Sequence, residues 1–254
     1  MRIIVAISLL LGLGVLSSQA QAVVTNAPPK KNPWDASATL GVTLTRGNSK
    51  TLLVSGQIQA IKKWDKNEVD LGADGVYGEN EVTTSTGGKE TQKSAEAIHG
   101  YAQYNRLFSE RLFGYLRVEA LHDAIADVDY RLAVSPGAGY YLIKETNLFL
   151  RAELGPGYVV EKLAGVTHDY ATLRVAERGE WKISSRAKVW ESVEYLPQVD
   201  RFQNYVINAE IGLDTAISAH FSQVTFLQDT YRSEPAPGRV HNDIKLVAGV
   251  KYKF

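Results

Sequence analysis

Residues 244–254 read IKLVAGVKYKF and end the chain. Apolar residues occupy every second position from Ile244 to Phe254, and three lysines stand among the residues between them. This period of two is typical of a β-strand with one apolar and one polar face. A closing strand that also ends in an aromatic residue is typical of outer-membrane β-barrels, whose insertion machinery binds it. We expect that assembly signal to lie in Gly249, Tyr252 and Phe254.

The same alternation recurs along the chain and predicts an all-β fold. Between 204 and 214, for example, apolar residues alternate with Asn208, Glu210 and Asp214. Each segment is long enough for a tilted membrane-spanning strand, and none has a helical period. We therefore predict a transmembrane antiparallel up-and-down β-barrel of about twelve strands. The predicted strands are 34–46, 51–64, 67–79, 93–107, 111–123, 129–142, 147–160, 169–182, 185–196, 204–214, 217–231 and 240–254.

Loop lengths and aromatic residues favour a membrane barrel over a soluble β-sandwich, whose strands also alternate. If the chain starts in the periplasm, the longer connections, such as 79–92 and 161–168, lie at the outer end. Short periplasmic turns and long outer loops are usual in outer-membrane barrels. Aromatic rings are also expected at the two membrane interfaces. We place Trp34, Trp64, Phe108, Tyr140, Trp181 and Phe254 at the periplasmic rim and Tyr77, Tyr130, Tyr158, Tyr195 and Tyr205 at the outer rim.

The N-terminus has the pattern of a secretory signal peptide. Arg2 supplies a positive charge, and the apolar run over 3–16 is followed by small residues typical of a cleavage site. The run is short for a membrane-spanning anchor. We therefore predict a signal peptide over 1–22, a proline-rich periplasmic leader over 23–33, and the barrel over 34–254. The predicted location is the outer membrane of a Gram-negative-type cell envelope.

Composition excludes several classes of protein. The sequence has 28 basic and 28 acidic residues, so it lacks the clear positive charge of a nucleic-acid binder. It has no cysteine, which excludes disulfides, thiol catalysis, cysteine metal sites and a lipoprotein anchor. Its five histidines show no metal-ligand spacing, and we expect neither a metal nor a cofactor. The expected surroundings are outer-membrane lipids, lipopolysaccharide among them.

Four stretches resemble one family of outer-membrane proteins. They are 40–48 (LGVTLTRGN), 135–142 (SPGAGYYL), 153–158 (ELGPGY) and 231–238 (YRSEPAPG). In these stretches and in its closing strand, the chain is similar to the YdiY-like family of salt-induced outer-membrane proteins, whose domain has no assigned function. The resemblance covers essentially the whole mature chain. It implies the barrel fold and the outer-membrane location, but no reaction and no functional residues.

Charged residues with inward-facing parity cluster on four neighbouring predicted strands. An Arg or Lys that faces lipid near the midplane costs about 2–4 kcal/mol, so we expect these side chains to face the lumen. Two interpretations stay open. One is a charged pore lining that selects small solutes, and the other is a salt-bridge network that fills a narrow barrel. The residues are Arg117, Glu119, Arg131, Arg151, Glu153, Arg174, Arg178 and Glu180.

Pro136 and Pro156 have lipid-facing parity on the sixth and seventh predicted strands. These strands fold back on each other about Glu145, which brings the two prolines close together. Because proline cannot donate to a sheet ladder, and glycines lie beside both prolines, we expect a β-bulge or a sharp bend there. We interpret this feature as structural.

Two functions from different classes are considered. The first is non-enzymatic: a narrow channel or a structural envelope protein linked to osmotic or salt stress. The second is a lipid-acting hydrolase with Ser94 and His122 on the lipid face near the outer rim, where some outer-membrane phospholipases place such residues. The spacing of this pair matches no catalytic motif, and no third residue completes a triad. We therefore predict a protein that is not an enzyme.

Overall fold

The computed structural model describes residues 34–45, 51–83 and 88–254. The predicted signal peptide and leader lie outside the described residues. The described residues form twelve β-strands and no helix. The strands are β1 (Trp34–Thr45), β2 (Thr51–Trp64), β3 (Asn67–Thr83), β4 (Lys89–Leu107), β5 (Leu112–Asp123), β6 (Val128–Lys144), β7 (Leu148–Leu163), β8 (Val166–Lys182), β9 (Ala187–Pro197), β10 (Tyr205–Ala216), β11 (Phe221–Arg232) and β12 (Asn242–Lys253).

The strands form one closed antiparallel barrel. Each strand pairs with its neighbours in sequence, and β1 pairs with β12 to close the sheet. Antiparallel strands joined by short connections lie side by side, which gives the up-and-down order. Closure removes the sheet edges, and backbone groups at membrane depth are then paired between strands. The predicted fold class is confirmed.

The closing strand lies at the seam between β1 and β12. The seam ladder runs over five residue pairs and ends with Gly41 opposite Gly249. At the chain end, the Phe254 N–H donates to Ala36 O at 3.1 Å. The rings of Tyr252 and Phe254 contact each other edge to face, with centroids 5.1 Å apart. All three residues predicted to carry the assembly signal therefore lie along this seam.

Side chains alternate between an apolar outer face and a polar inner face. On β6, Leu132 and Val134 are 52% and 45% exposed on the outside, whereas Arg131 and Ser135 are buried inside. Exposed apolar side chains occur on the other strands in the same way. The outer surface is thus an apolar band, which suits lipid and not water.

Exposed aromatic residues lie at both ends of the barrel. Trp64, Phe108 and Trp181 lie beside the turns at the end where β12 finishes, which we call the periplasmic end. Tyr77 and Tyr158 lie towards the opposite end, which we call the outer end. Rings of this kind favour the headgroup level, so the two groups mark the two membrane interfaces.

Some outer connections are shorter than predicted because the strands continue. The connection predicted over 161–168 is a two-residue turn of Ala164 and Gly165, with φ of 50° and 77°. Positive φ at both positions is the geometry of a type I′ turn, whose twist suits a β-hairpin. β3 and β4 likewise continue into the connection predicted over 79–92. Alternation did not reveal these extensions, because a strand that leaves the membrane has water on both faces.

Pro136 and Pro156 lie opposite each other on β6 and β7, and of the predicted β-bulge or sharp bend, the bulge is absent between them. Val134 pairs with Tyr158, and the pairing resumes in the same register four residues further along both strands. Two opposed prolines remove donors from the same stretch of both strands, so no extra residue is needed to keep the alignment. The register shifts between β6 and β7 lie near the strand ends instead.

Large aromatic side chains inside the barrel lie over glycines of the neighbouring strand. Phe113 and Tyr115 of β5 pair directly with Gly139 and Gly137 of β6, and a Cβ atom at either glycine would collide with the opposite ring. The inner wall of β6 therefore carries no projecting side chain at these two positions. Two further pairs repeat the arrangement: Tyr101 with Gly72, and Trp190 with Gly212.

Candidate functional site in the barrel lumen

The structure places all eight charged residues named above on the inner face of the barrel wall. Their side chains are between 3% and 30% exposed. Each lies within 3.6 Å of an oppositely charged group. Six of them fall into three groups, which differ in position and in the closeness of their pairing, and Arg117 and Glu119 extend the first group towards β3.

The first group, which we call the central network, is organised around Arg174. Its Nη1 lies 2.7 Å from Glu153 Oε2, and its Nε lies 2.6 Å from Glu194 Oε1. Arg174 and Glu153 are both almost completely buried. These short charge-assisted hydrogen bonds join β7, β8 and β9. The central network consists of Glu68, Gln103, Arg151, Glu153, Arg174 and Glu194.

Two contacts of the central network cut across the lumen. Gln103 Nε2 on β4 donates to Glu153 Oε1 on β7 at 3.1 Å, although β5 and β6 separate these strands in the wall. Arg151 on β7 reaches further, with Nη1 3.7 Å from Glu68 Oε1 on β3. Arg151 Nε also lies 3.1 Å from Glu153 Oε1. Side chains from separate parts of the wall thus meet inside and constrict the lumen at this level.

The small inner residues of β6 make these contacts possible. Its inner face carries Ser135, Gly137 and Gly139 where the paired strand β5 carries the large side chains of Arg117, Tyr115 and Phe113. Tyr115 lies over Gly137, and the Arg174 guanidinium lies over the Tyr115 ring at 5.3 Å from its centroid. A cation so placed is attracted by the face of the ring. The aromatic ring therefore supports Arg174 from the side on which β6 offers no partner.

The contacts continue from Gln103 towards β3. Arg117 Nη1 donates to Gln103 Oε1 at 3.1 Å, and Arg117 Nε donates to Glu119 Oε1 at 2.8 Å. His99 lies 3.7 Å from Glu119 and 2.9 Å from Asp74. A connected series of polar contacts therefore runs from β3 to β9.

The second group is a charged pair on one strand. Arg178 Nη2 lies 3.0 Å from Glu180 Oε1, and Lys188 Nζ of β9 lies 3.0 Å from Glu180 Oε2. The Arg178 and Glu180 side chains are 30% and 29% exposed. These charges are therefore more accessible than those of the central network.

The third group, which we call the outer cluster, consists of Arg131, Glu161, Tyr170 and Arg232 near the outer end. Arg131 Nη1 and Arg232 Nη1 lie 3.6 and 3.9 Å from the same atom, Glu161 Oε2. Both distances exceed that of a hydrogen bond. Tyr170 OH donates to Glu161 Oε1 at 2.8 Å. Two guanidinium groups thus share one carboxylate.

Sequence reasoning missed several members of these groups. Gln103, Glu194 and Arg232 lie on β4, β9 and β11, where the alternation in the sequence is weakest. The pairing register between strands is the signal that could have found such residues: Gln103, for example, pairs directly with the inward-facing Arg117. Glu68 has inward parity in a clearly alternating strand, but it stands near a strand end, where a charge is expected to be solvated.

Two carboxylates lie on the outer face, where sequence analysis predicted no charge. Glu177 of β8 and Glu191 of β9 are both exposed, and the Glu191 side chain lies over Gly179. Carboxylates on the lipid face of a barrel cost less than Arg or Lys. The arginines of the same region, by contrast, all point inward.

The structure does not bring Ser94 and His122 together. His122 lies opposite Ile98 in the β4–β5 register, four residues from Ser94, or about 13 Å along an extended strand. Ser94 is the unpaired residue at a register shift between β3 and β4, and its hydroxyl lies beside Gly78 on the inner side. His122 Nδ1 contacts Asp129 O at 2.8 Å. The expected arrangement of both residues on the lipid face is therefore not found.

The described residues offer no further chemical site of a recognisable kind. In that part of the chain, no group of three or more His, Asp or Glu side chains is placed to hold a metal ion. No helix among those residues is long and apolar enough to cross a membrane. The arginines, glutamates and amides of the lumen offer ion pairing and hydrogen bonding.

A family model for proteins of unknown function, DUF481, matches residues 38–254. The chain belongs to this family. The match covers nearly all of the barrel and agrees with the resemblance seen in the strand and turn motifs. No curated protein gives a significant match to the chain.

Solved outer-membrane barrels share the fold of this DUF481 protein. The NanC porin has a TM-score of 0.53 at 8% identity, over 87% of this chain and 100% of that one. An outer-membrane channel from Pseudomonas putida F1 has a TM-score of 0.52 at 8% identity, over 91% of this chain and 100% of that one. At such identities the likeness concerns the fold alone. Together with the apolar outer face and the two aromatic girdles, it makes the chain an outer-membrane β-barrel protein.

Proposed function

We propose that the protein is a narrow outer-membrane channel for small solutes. The observation that carries the proposal is the charged central network that crosses the lumen. A barrel with a purely structural role can fill its interior with apolar side chains, which often stabilise a protein as well as buried ion pairs do. A charged lining instead accommodates water and discriminates solutes by charge and size.

The contacts across the lumen set the size of the solutes. Gln103 reaches Glu153, and Arg151 approaches Glu68, so the path at this level passes between side chains. We therefore infer that ions and small polar molecules pass, and that larger ones are excluded. The two structurally similar proteins are a porin and an outer-membrane channel, which supports this proposal.

A structural role in the envelope is the second candidate. It is favoured by the close pairing of Arg174, whose two carboxylate partners lie at 2.6 and 2.7 Å. Charges paired this closely brace the wall whether or not solutes pass. The resemblance to salt-induced outer-membrane proteins links either role to osmotic or salt stress, and growth of a deletion strain at high osmolarity tests that link.

Planar-bilayer recording tests the channel. The refolded, full-length mature barrel is expected to give small, discrete current steps, and liposomes that contain it are expected to admit small sugars faster than large ones. Insertion is checked by the change in gel migration on heating. A folded, inserted barrel that passes neither ions nor sugars would refute the channel and leave the structural role. Hydrolysis of lipid by the same sample would instead support the enzymatic alternative.

The closing strand is further proposed to be the segment that the insertion machinery binds. Phe254 is 68% exposed at the seam, so its side chain is available to a partner before the barrel closes. We expect Phe254→Lys to lower the amount of heat-modifiable barrel in outer-membrane fractions. Phe108→Lys is the matched control, because Phe108 is a similarly exposed aromatic residue at the same rim. Equal levels of the two variants would contradict the assignment.

A further inference from the structure

The outer cluster holds two cations that lack close partners. Arg131 on β6 and Arg232 on β11 reach towards each other from opposite parts of the wall and are both more than nine-tenths buried. Their ion-pair contacts are the two long ones to Glu161, at 3.6 and 3.9 Å. Neither guanidinium donates a hydrogen bond to any described residue. Since each guanidinium carries five N–H donors, the cluster has donors to spare.

The same cluster holds one acceptor without a donor. Glu161 is 5% exposed, and its Oε1 atom accepts the hydrogen bond from Tyr170. Its Oε2 atom is buried and accepts no hydrogen bond. A buried carboxylate oxygen without a hydrogen bond is stabilised by a ligand that brings a donor. Tyr170 holds the carboxylate through Oε1, and Oε2 is the atom that lies nearest to both guanidinium groups.

A neighbouring carboxylate, Asp123, does not use the spare donors of the two arginines. Asp123 acts electrostatically on Arg232 but forms no ion pair with it. Asp123 Oδ1 already accepts hydrogen bonds from the backbone N–H groups of Ile125 and Ala126, at 3.1 and 2.9 Å. The donors of Arg131 and Arg232 are therefore the ones available to a solute that enters from the outer end.

We propose that the outer cluster binds small oxyanions that carry an O–H group, of which inorganic phosphate is the simplest. The anionic oxygens accept hydrogen bonds from Arg131 and Arg232, and the O–H donates to Glu161 Oε2. Sulfate has no O–H at neutral pH, so it leaves Oε2 without a donor and places a second anion against it. The role of the cluster as the entry site of a transported solute rests on the proposed channel function. Binding itself requires no conduction.

Thermal unfolding of the detergent-solubilised wild-type barrel tests the site. Phosphate, sulfate and chloride are compared at neutral pH and equal ionic strength, and a ligand that binds only the folded state raises Tm with its concentration. Phosphate is expected to bind about tenfold more tightly than sulfate, which corresponds to one unpaired buried acceptor. Chloride is expected to have the smallest effect.

Variants separate the roles of the acceptor and the donors. Glu161→Gln is expected to abolish the preference for phosphate over sulfate, because an amide can also donate to an anion. Arg131→Gln and Arg232→Gln are expected to weaken the binding of both anions about tenfold, since each removes charge-assisted hydrogen bonds. Arg201→Gln is the matched control, because Arg201 is exposed and pairs with Glu234 at 2.6 Å outside the lumen.

Two results would overturn the site. One is equal stabilisation of the wild type by phosphate and sulfate, which needs no variant to fold. The other is an unchanged phosphate preference in folded Glu161→Gln. The site and the channel also fail separately. A barrel that prefers phosphate but carries no current would retain the site and refute the channel. A barrel that conducts but shows no preference for phosphate would retain the channel and refute the site.

Discussion

The central network and the outer cluster are built from the same residue types, but their charges are paired differently. Arg174 has two carboxylates at 2.7 and 2.6 Å, whereas Arg131 and Arg232 share one carboxylate at 3.6 and 3.9 Å. The central network has three glutamates for two arginines, and the outer cluster has one glutamate for two. The ratio of carboxylates to arginines therefore decides whether an arginine braces the lumen or stays available to a solute.

The largest effect is expected where the pairing is closest. Glu153→Gln leaves Arg151 and Arg174 with one carboxylate fewer in a buried site, and the free energy of unfolding should fall by about 3–5 kcal/mol. Urea unfolding of the refolded barrel measures it. The matched control is Glu234→Gln, which breaks an exposed pair and should cost no more than about 1 kcal/mol. Similar losses in the two variants would mean that the central network does not brace the wall.

A smaller effect is expected at the edge of the central network. Arg151 lies 3.1 Å from Glu153 and 3.7 Å from Glu68, so Arg151→Ala removes weaker contacts and should cost about 2 kcal/mol, below the usual value for a closely paired buried charge. Lys89→Ala, which breaks only an exposed pair with Glu81, should cost no more than about 1 kcal/mol. If the barrel conducts, Arg151→Ala should also shift its ion selectivity away from anions, as read from the reversal potential. A variant unchanged in both unfolding and selectivity would contradict both roles of the network.

The smallest effect is expected in the outer cluster. Arg232→Gln removes a cation that has no hydrogen-bonded partner and that lies near the like charge of Arg131, so unfolding should change by no more than about 1 kcal/mol. The comparison with Glu153→Gln in the same urea experiment sharpens the contrast between the regions. A loss at Arg232 as large as that at Glu153 would erase the distinction.

The outer surface explains why so much of the fold could be predicted. Lipid demands an apolar side chain at every second position, and all twelve predicted strands are present within a few residues of their expected bounds at the periplasmic end. Alternation no longer predicts the structure beyond the membrane, where lipid does not contact the strands. Ala164 and Gly165 form a turn in place of a predicted loop, because beyond the membrane neither face of a strand must be apolar.

The candidate site was harder to predict than the wall that carries it. Alternation places Arg151 and Arg174 inside, but it does not say which side chains meet across the lumen. That depends on the register around the closed barrel and on the small residues of β6, such as Gly137, over which larger side chains fit. Gln103, which joins β4 to β7, carries no charge, so a pattern of inward-facing charges does not reveal it.

The most direct test of a lumen constricted by crossing side chains is the single-channel conductance of the double variant Glu68→Ala/Arg151→Ala. This change removes one contact across the lumen without changing net charge, and Arg201→Ala/Glu234→Ala provides a neutral control outside the lumen. We predict a severalfold higher conductance in the Glu68/Arg151 variant and an unchanged conductance in the control. A folded Glu68/Arg151 variant with the conductance of the wild type would contradict the account.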